Sequence, residues 1–249
     1  MNETFDILVI GGGINGAGIV RDASGRNLKV CLVEKNTVGS ATSSWSTKLI
    51  HGGLRYLENY EFRLVRESLK EREVIKKIAS NITTTIPFII PYQKSLRPKW
   101  LIKLGLFLYD NIGGKITIPK SSTVNIKKEM PNILKDQFKI GFQYYDLQVD
   151  DKKLVQLNVE DAKKKGATII QNRKVIDAKR NKNTWDITLD DNTILQSKIL
   201  INAAGPWINE VLSNVIKLNS KKSIRLVKGS HIITKSLYSQ KKAFTLQNE

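Results

Sequence analysis

A glycine-rich run near the start of the chain has the spacing of a nucleotide-binding turn. Gly11-Gly12-Gly13-Ile14-Asn15-Gly16 fits the pattern G-x-G-x-x-G and stands between an apolar run and a segment with helical spacing. In such a turn the first glycine permits a tight bend, the second lets a pyrophosphate approach the backbone, and the third lets the helix pack closely on the strand. The free N–H groups at the start of the helix attract the phosphates.

An acidic residue follows at the distance that such a site requires. Glu34 ends the next apolar run, and an acid at this place accepts hydrogen bonds from an adenosine ribose and disfavours a 2′-phosphate. The turn and the acid together predict a dinucleotide site. The alternative is a glycine-rich turn that binds no ligand.

Short buried strands and helices are predicted around this turn. Residues 6–10 and 29–34 are β-branched apolar runs typical of strands that are buried on both faces. Cys31 lies inside the second run, where we interpret it as a small buried hydrophobic residue. Helices are predicted over 14–25, 58–81, 97–112 and 151–165. Further extended segments are predicted over 83–92, 167–170, 174–177, 185–189 and 198–202. The pattern indicates an α/β domain with a second sheet inserted through the middle of the chain.

Composition excludes several classes of protein. The 249 residues contain one Cys, which excludes a disulfide framework, a Cys-rich zinc module and an iron–sulfur cluster. No apolar run is long enough to span a bilayer, and the first residues lack the features of a signal peptide, so we expect a cytoplasmic protein. The net charge is +18, but the basic residues are scattered. We attribute the charge first to a general bias of composition towards Lys, Asn and Ile. The second explanation is that the charge attracts the protein to an anionic membrane; nucleic acid is not expected as a partner.

A more specific pattern follows the second strand. The run Ala41-Thr42-Ser43-Ser44-Trp45-Ser46-Thr47-Lys48-Leu49-Ile50-His51-Gly52-Gly53-Leu54-Arg55-Tyr56-Leu57, with the glycine-rich turn, resembles the FAD-dependent glycerol-3-phosphate dehydrogenases within the D-amino-acid-oxidase-like flavoproteins. Further matches are Tyr60-Glu61-Phe62-Arg63-Leu64, Val149-Asp150-Asp151, Asn202-Ala203-Ala204-Gly205-Pro206-Trp207 and Lys228-Gly229-Ser230-His231. Members of that family are roughly twice as long, so this chain resembles their N-terminal half.

The resemblance implies a fold and a reaction. The fold is α/β, with a Rossmann-like FAD-binding domain (1–81 and 146–215) and an inserted antiparallel substrate domain (82–145 and 216–249). We expect the chain to be truncated at its C-terminus, where 243–249 has the pattern of an unfinished strand. The implied reaction is oxidation of sn-glycerol 3-phosphate to dihydroxyacetone phosphate, in which the C2 hydride goes to flavin N5. The electrons then pass to a membrane quinone, which implies a peripheral protein on the cytoplasmic face of the inner membrane. A homodimer is left open.

The cofactor expected is noncovalent FAD, since the one cysteine lies within a strand. The residues predicted to bind it are Gly11, Gly12, Gly13, Ile14, Asn15, Gly16, Glu34, Lys35, Thr42, Ser43, Ser46, Lys48, Leu49, His51, Gly52, Val175, Ala203, Ala204, Gly205 and Trp207. Hydroxyls of Thr42, Ser43 and Ser46 suit the pyrophosphate and the ribityl chain. The resemblance places 48–53 along the isoalloxazine ring.

Substrate binding is predicted for Arg55, Tyr56 and His231, and catalytic roles for His51 and Arg55. Arg55 offers a planar, permanently charged fork for a phosphate dianion, whereas its ordinary alternative is a surface ion pair. His51 and His231 are the two histidines, and either could accept the proton of the C2 hydroxyl. His51 is favoured as flavin-proximal, and the identity of the base stays open.

Two other functions remain alternatives. One is a related flavoprotein oxidase that uses O₂ or acts on an amino acid. The other is a non-catalytic remnant that binds FAD or nucleic acid. For the helix over 97–112, Trp100, Leu101, Leu104, Phe107 and Leu108 predict either a face buried in the second domain or, with Arg97, Lys99 and Lys103, a membrane-interfacial patch.

Overall fold

The structure is a computed structural model, and it describes residues 4–95, 97–218, 224–227 and 229–246. The regular elements, in chain order, are β1 (Thr4–Ile10), α1 (Ile14–Gly25), β2 (Val30–Glu34), β3 (Leu49–Ile50), α2 (Phe62–Ile78), β4 (Thr83–Pro91), α3 (Lys99–Asn111), β5 (Ser122–Asn125), α4 (Ile126–Glu129), β6 (Ile140–Val149), α5 (Asp151–Lys164), β7 (Thr168–Gln171), β8 (Val175–Asn181), β9 (Thr184–Leu189), β10 (Ile194–Asn202), α6 (Ile208–Glu210) and β11 (Ala243–Phe244). Short 3₁₀ turns cover Thr42–Ser44, Leu54–Asn59 and Gly205–Trp207, and a π-helical turn covers Val211–Val215.

The first of two compact units comprises 1–47 and 151–230, and its centre is a six-stranded sheet in the order β7-β2-β1-β10-β9-β8. The first four strands are parallel, and β9 and β8 continue as an antiparallel meander. A tight turn joins β9 and β10, with Asn192 in the left-handed region at φ 64°. β1 lies between two parallel neighbours, so its carboxyl end and theirs meet at one edge of the sheet.

Both faces of this sheet are covered by apolar side chains. On one face α1 and α5 pack through Ala17, Val20, Val155 and Val159 against the strands. On the other face the core contains Leu8, Cys31 and Val33 together with residues of β8 and β9. Burial of both faces explains why β1 and β2 are almost continuously apolar, as the sequence predicted.

The second unit comprises 48–150 and 231–249 and is built on a five-stranded sheet. β11, β4, β6 and β3 are neighbours in that order, and β5 also pairs with β6. The β4–β6 pair is antiparallel along the whole of β4. Helices α2 and α3 pack on this sheet through Val65, Leu69, Leu106 and Tyr109. The mixed α/β fold with an inserted, largely antiparallel sheet matches the predicted fold class.

The division into units differs from the boundaries drawn from the sequence. Residues 48–81 and 146–150 belong to the second unit, and the described residues of 216–230 belong to the first. The physical reason is packing: Val65 and Leu69 of α2 are fully buried against the β4–β6 sheet, and β3 pairs with β6. Of the predicted strand over 243–249, β11 takes up Ala243–Phe244, and 247–249 lie outside the described residues.

No helix within the described residues combines the length and apolarity needed to cross a membrane. Helix α3, the most apolar of the longer helices by sequence, buries Leu106 and Tyr109 and leaves Trp100, Leu101, Leu104 and Phe107 exposed.

The single cysteine provides a test of the core. Cys31 is fully buried in β2, and burial raises the pKa of its thiol to about 12. We expect the native protein to leave this thiol unmodified by iodoacetamide at pH 8, because both access and the thiolate are lacking. In urea the same reagent should add one equivalent, measured by intact mass. Rapid labelling without urea would contradict the placement of β2 in the core.

Candidate functional site

The glycine-rich turn lies where the carboxyl ends of β1, β2 and β10 meet, and close backbone approach explains two of its glycines. Gly11 has φ +110°, and a β-carbon at this position would lie 2.6 Å from the Ala203 carbonyl oxygen at the end of β10. A β-carbon at Gly16 would overlap the Gly11 carbonyl oxygen. Gly11 therefore lets the turn approach β10, and Gly16 lets α1 pack onto the turn.

Gly13 differs from these two glycines. A β-carbon there would lie 3.2 Å from Ser43 Oγ, and φ is −77°, which any residue adopts. The protein itself thus demands glycine less strictly here than at Gly11 or Gly16, because the flexible Ser43 side chain need shift by only a few tenths of an ångström. An open surface at the first turn of α1 fits a ligand phosphate that approaches the backbone.

Glu34 is held in place by two backbone amides. Its Oε2 accepts a hydrogen bond from Gly12 N at 2.6 Å, and its Oε1 accepts one from Asn36 N at 2.9 Å. A β-carbon at Gly12 would lie 2.9 Å from Glu34 Cβ, so this glycine is what lets the carboxylate reach the turn. Each carboxylate oxygen keeps a lone pair, which fits the two hydroxyls of a ribose. This role of Gly12 was not foreseen from the sequence.

The three predicted hydroxyls have different surroundings. Ser43 Oγ accepts a hydrogen bond from Ile14 N at 3.0 Å, at the N-terminus of α1 where the pyrophosphate is expected. Thr42 and Ser43 line the cavity beside the turn. Ser46 instead donates its hydroxyl to Asp151 Oδ2 at 2.7 Å, and this contact joins the loop to the start of α5. Ser46 and Gly16 do not line the cavity, and their contact with FAD stays a prediction.

The cavity of the first unit collects most of the predicted cofactor residues of this unit. Those that line it are Gly11, Gly12, Gly13, Ile14, Asn15, Glu34, Lys35, Thr42, Ser43, Val175, Ala203, Ala204, Gly205 and Trp207. Lys35 Nζ lies 4.4 Å from the centre of the Trp207 ring, a cation–π contact that fixes both side chains at the rim. The cavity is thus lined by the backbone of the glycine-rich turn, by the Glu34 carboxylate and by small residues.

Sequence reasoning missed two basic residues of this cavity. Arg173 and Lys174 line it beside Val175. Arg173 Nε pairs with Asp191 Oδ2 at 2.7 Å, and Lys174 Nζ lies 3.8 Å from Glu210 Oε1. Both follow the left-handed residue Asn172, in a turn that carries no ligand-binding motif in the sequence. Basic side chains beside the backbone amides of the turn fit the adenosine diphosphate part of FAD.

The remaining predicted residues belong to the second unit. Leu49 is in β3 and pairs with Gln148 of β6, and Lys48 precedes it with φ 57°. His51 is exposed, and the Gly52 amide that follows it donates a hydrogen bond to the Tyr109 hydroxyl at 2.7 Å. Their contact with FAD stays a prediction.

Arg55 and Tyr56 lie on the 3₁₀ turn Leu54–Asn59, which begins directly after Gly53 at φ +71°. Both side chains are exposed. Arg55 forms no hydrogen bond or ion pair within the part of the chain that the structure describes, so the surface ion pair weighed as its ordinary role has no partner there. His231 is exposed in a stretch that lacks helix and strand, and Lys228 of the same motif lies outside the described residues.

The family of the chain follows from comparison with known proteins. A family model for the FAD dependent oxidoreductases matches residues 6–247. The chain belongs to this family, whose cofactor is FAD.

Individual relatives narrow the similarity. The chain is 47% identical to a D-erythritol 1-phosphate dehydrogenase of Brucella abortus and 44% identical to the aerobic glycerol-3-phosphate dehydrogenase of Escherichia coli, in each case over 99% of this chain and 50% of the relative. A solved glycerol-3-phosphate dehydrogenase from Bacillus halodurans, complexed with FAD, is similar with a TM-score of 0.62 and 28% identity. That similarity covers 85% of this chain and 36% of the solved one. The chain spans about half the length of the curated relatives it matches.

The difference between Gly13 and the other glycines gives a test of the cofactor site. We expect Gly13→Val in the full-length protein to lower the flavin content sharply, because the added side chain enters the space of the pyrophosphate while the backbone stays relaxed. Flavin absorbance per protein, after purification, measures the effect. Gly18→Val in the same helix is the control, since a β-carbon there meets no atom within 4 Å. Equal flavin content in the two variants would refute the assignment.

Proposed function

We propose that the protein takes part in the FAD-dependent oxidation of a phosphorylated polyol, with sn-glycerol 3-phosphate as the leading substrate and dihydroxyacetone phosphate as the product. The observation that carries this proposal is Arg55, an exposed guanidinium without a partner among the described residues, followed in sequence by the exposed Tyr56. A guanidinium binds a phosphate through two parallel hydrogen bonds. The relatives named above are dehydrogenases of phosphate esters, which share this requirement.

The residues of the chain divide the work. The amides at the start of α1 bind the pyrophosphate of FAD, and Glu34 binds the adenosine ribose. Bound in this way, the flavin would supply the acceptor for the hydride that the alcohol carbon loses. Arg55 and Tyr56 hold the substrate phosphate, and His51 or His231 accepts the hydroxyl proton.

A second substrate is favoured by one comparison. The Brucella relative acts, by its name, on D-erythritol 1-phosphate, and it is as similar to this chain as the glycerol-3-phosphate dehydrogenases are. The two phosphates share the ester and differ in the length of the polyol. Steady-state rates of the full-length protein with each phosphate, and with unphosphorylated glycerol as control, decide between them.

The acceptor of the electrons is proposed to be a membrane quinone, which places the protein at the cytoplasmic surface of the inner membrane. Support comes from α3, whose Trp100 and Phe107 side chains are 66% and 62% exposed beside Lys99 and Lys103. Aromatic and basic side chains on one short helix suit an interface with anionic lipid. Rates with a quinone analogue and with O₂ separate this proposal from the oxidase alternative.

The phosphate contact can be tested by a conservative change. We expect Arg55→Lys in the full-length protein to raise the KM for glycerol 3-phosphate about tenfold, because a point charge replaces a bidentate fork. Dye-linked steady-state kinetics measure it. Arg63→Lys is the matched control, since Arg63 is an exposed arginine of the same unit that pairs with Glu67. An unchanged KM in Arg55→Lys would show that the phosphate binds elsewhere.

Membrane association has its own test. We expect the protein to float with vesicles that contain anionic lipid and to be released by salt, since each well-placed Lys or Arg contributes about 1 kcal/mol at such a surface. Trp100→Ser with Phe107→Ser should weaken flotation further. Flotation that is indifferent to lipid charge, salt and both substitutions would contradict the proposal.

A further inference from the structure

A buried charged network lies beneath the loop that carries His51 and Arg55. Arg72 of α2 is only 2% exposed, although most of the other charged residues of this helix are exposed. Its Nη1 donates to Asp146 Oδ1 of β6 at 2.8 Å and to the Tyr145 carbonyl oxygen at 3.2 Å. Asp146 is 3% exposed, so this is an ion pair in the core of the second unit.

Tyr109 of α3 connects this ion pair to the loop. Its hydroxyl donates to both oxygens of Asp146, at 2.9 and 3.0 Å, and accepts a hydrogen bond from Gly52 N at 2.7 Å. Burial, aided by the negative charge of Asp146, raises the pKa of the Tyr109 hydroxyl well above its usual value. The hydroxyl therefore keeps its proton and can serve as donor and acceptor at once.

The loop packs so closely on the residues around this network that Gly52 has no room for a side chain. A β-carbon at Gly52 would overlap the Leu69 side chain and lie 2.8 Å from Tyr109 Cε2. Gly53 follows in the left-handed region and starts the 3₁₀ turn that carries Arg55 and Tyr56. The position of one amide, that of Gly52, thus sets the start of the turn.

Stability alone does not account for such a network. Burying an ion pair costs desolvation of both charges, and apolar side chains of similar volume commonly do as well or better. Asp146 has its pKa raised by burial, against the opposing hydrogen bond from Arg72. Beyond its own members, the network reaches the Gly52 amide through Tyr109, and the amide lies between His51 and Arg55 in sequence.

We propose that Tyr109, Asp146 and Arg72 are positioning residues, which hold the Gly52 amide and thereby orient His51, Arg55 and Tyr56 for the substrate. The inference rests on the proposed function of those three residues. Arg72 orients Asp146, Asp146 fixes the Tyr109 hydroxyl, and that hydroxyl fixes the loop. None of the three positioning residues needs to touch the substrate.

The test compares two buried tyrosines of one cluster. Tyr109→Phe removes the hydroxyl that binds Gly52 N and keeps the ring. Tyr144→Phe is the matched control: Tyr144 is buried in the same cluster, its ring contacts Tyr109 edge to face, and its hydroxyl bonds Thr245 instead of the loop. Both variants are made in the full-length protein with FAD bound.

Two measurements are made on each variant. Hydrogen exchange, followed by mass spectrometry over a peptide that contains Gly52, should be faster in Tyr109→Phe than in wild type and unchanged in Tyr144→Phe. Per bound flavin, kcat/KM for glycerol 3-phosphate should fall about tenfold in Tyr109→Phe, with the larger part in KM, as expected when a buried donor loses its partner. Tyr144→Phe should keep the wild-type value.

Equal exchange and equal kcat/KM in the two variants would overturn the inference. If wild type itself does not oxidise a polyol phosphate, the proposed function fails, and the exchange result still reports whether Tyr109 holds the loop. If Tyr109→Phe yields no folded protein, Arg72→Lys takes its place, because it keeps a charge opposite Asp146 and loses the fork. Faster exchange at Gly52 and a lower kcat/KM would then support the inference, and wild-type values would overturn it.

Discussion

The first unit depends on three glycines whose missing side chains let the turn after β1 approach its neighbours closely. β1, β2 and β10 converge at the turn, and Gly11, Gly12 and Gly16 lie where a β-carbon would strike a neighbouring carbonyl, side chain or turn. Because these three positions carry no side chain, the amides of the turn are brought beside the Glu34 carboxylate, and Gly12 N becomes its donor. The strands are apolar on both faces, so the polar groups of this unit that could bind a ligand are concentrated at the sheet edge.

In the second unit, hydrogen bonds to buried polar side chains hold the loop that carries the predicted substrate residues. Its loop is held by a hydrogen bond from backbone to a buried tyrosine, which is itself held by a buried ion pair. In a low-dielectric core such bonds are strong and directional, and they resist displacement more than apolar contacts do. A loop with two consecutive glycines thereby gains a defined conformation that its own sequence does not enforce.

Much of the fold was predictable because its signals are local. The runs over 6–10 and 29–34, the glycine pattern and Glu34 together predicted β1, α1 and β2, and the resemblance to a flavoprotein family supplied the other predicted residues that line the cavity. Contacts between residues far apart in the sequence could not be predicted. Arg72 has the sequence appearance of a solvated arginine, and only the tertiary position of Asp146 explains its burial. The same holds for Ser46, whose hydroxyl is taken by Asp151, and for Arg173, which reaches the cavity through the pairing of β7 with β2.

The parallel pairing of β1 with β10 also has a consequence for biosynthesis. Thr4 pairs with Gln196, so β1 acquires that neighbour only after almost two hundred further residues have been made. At about 5–20 residues per second, the delay is roughly 10–40 s. During that interval β1 presents an apolar, unpaired edge, a state that invites aggregation and chaperone binding. Residues 48–150 of the second unit are synthesised within this interval. Most strands of its sheet can therefore pair before β10 is available to pair with β1 in the first unit.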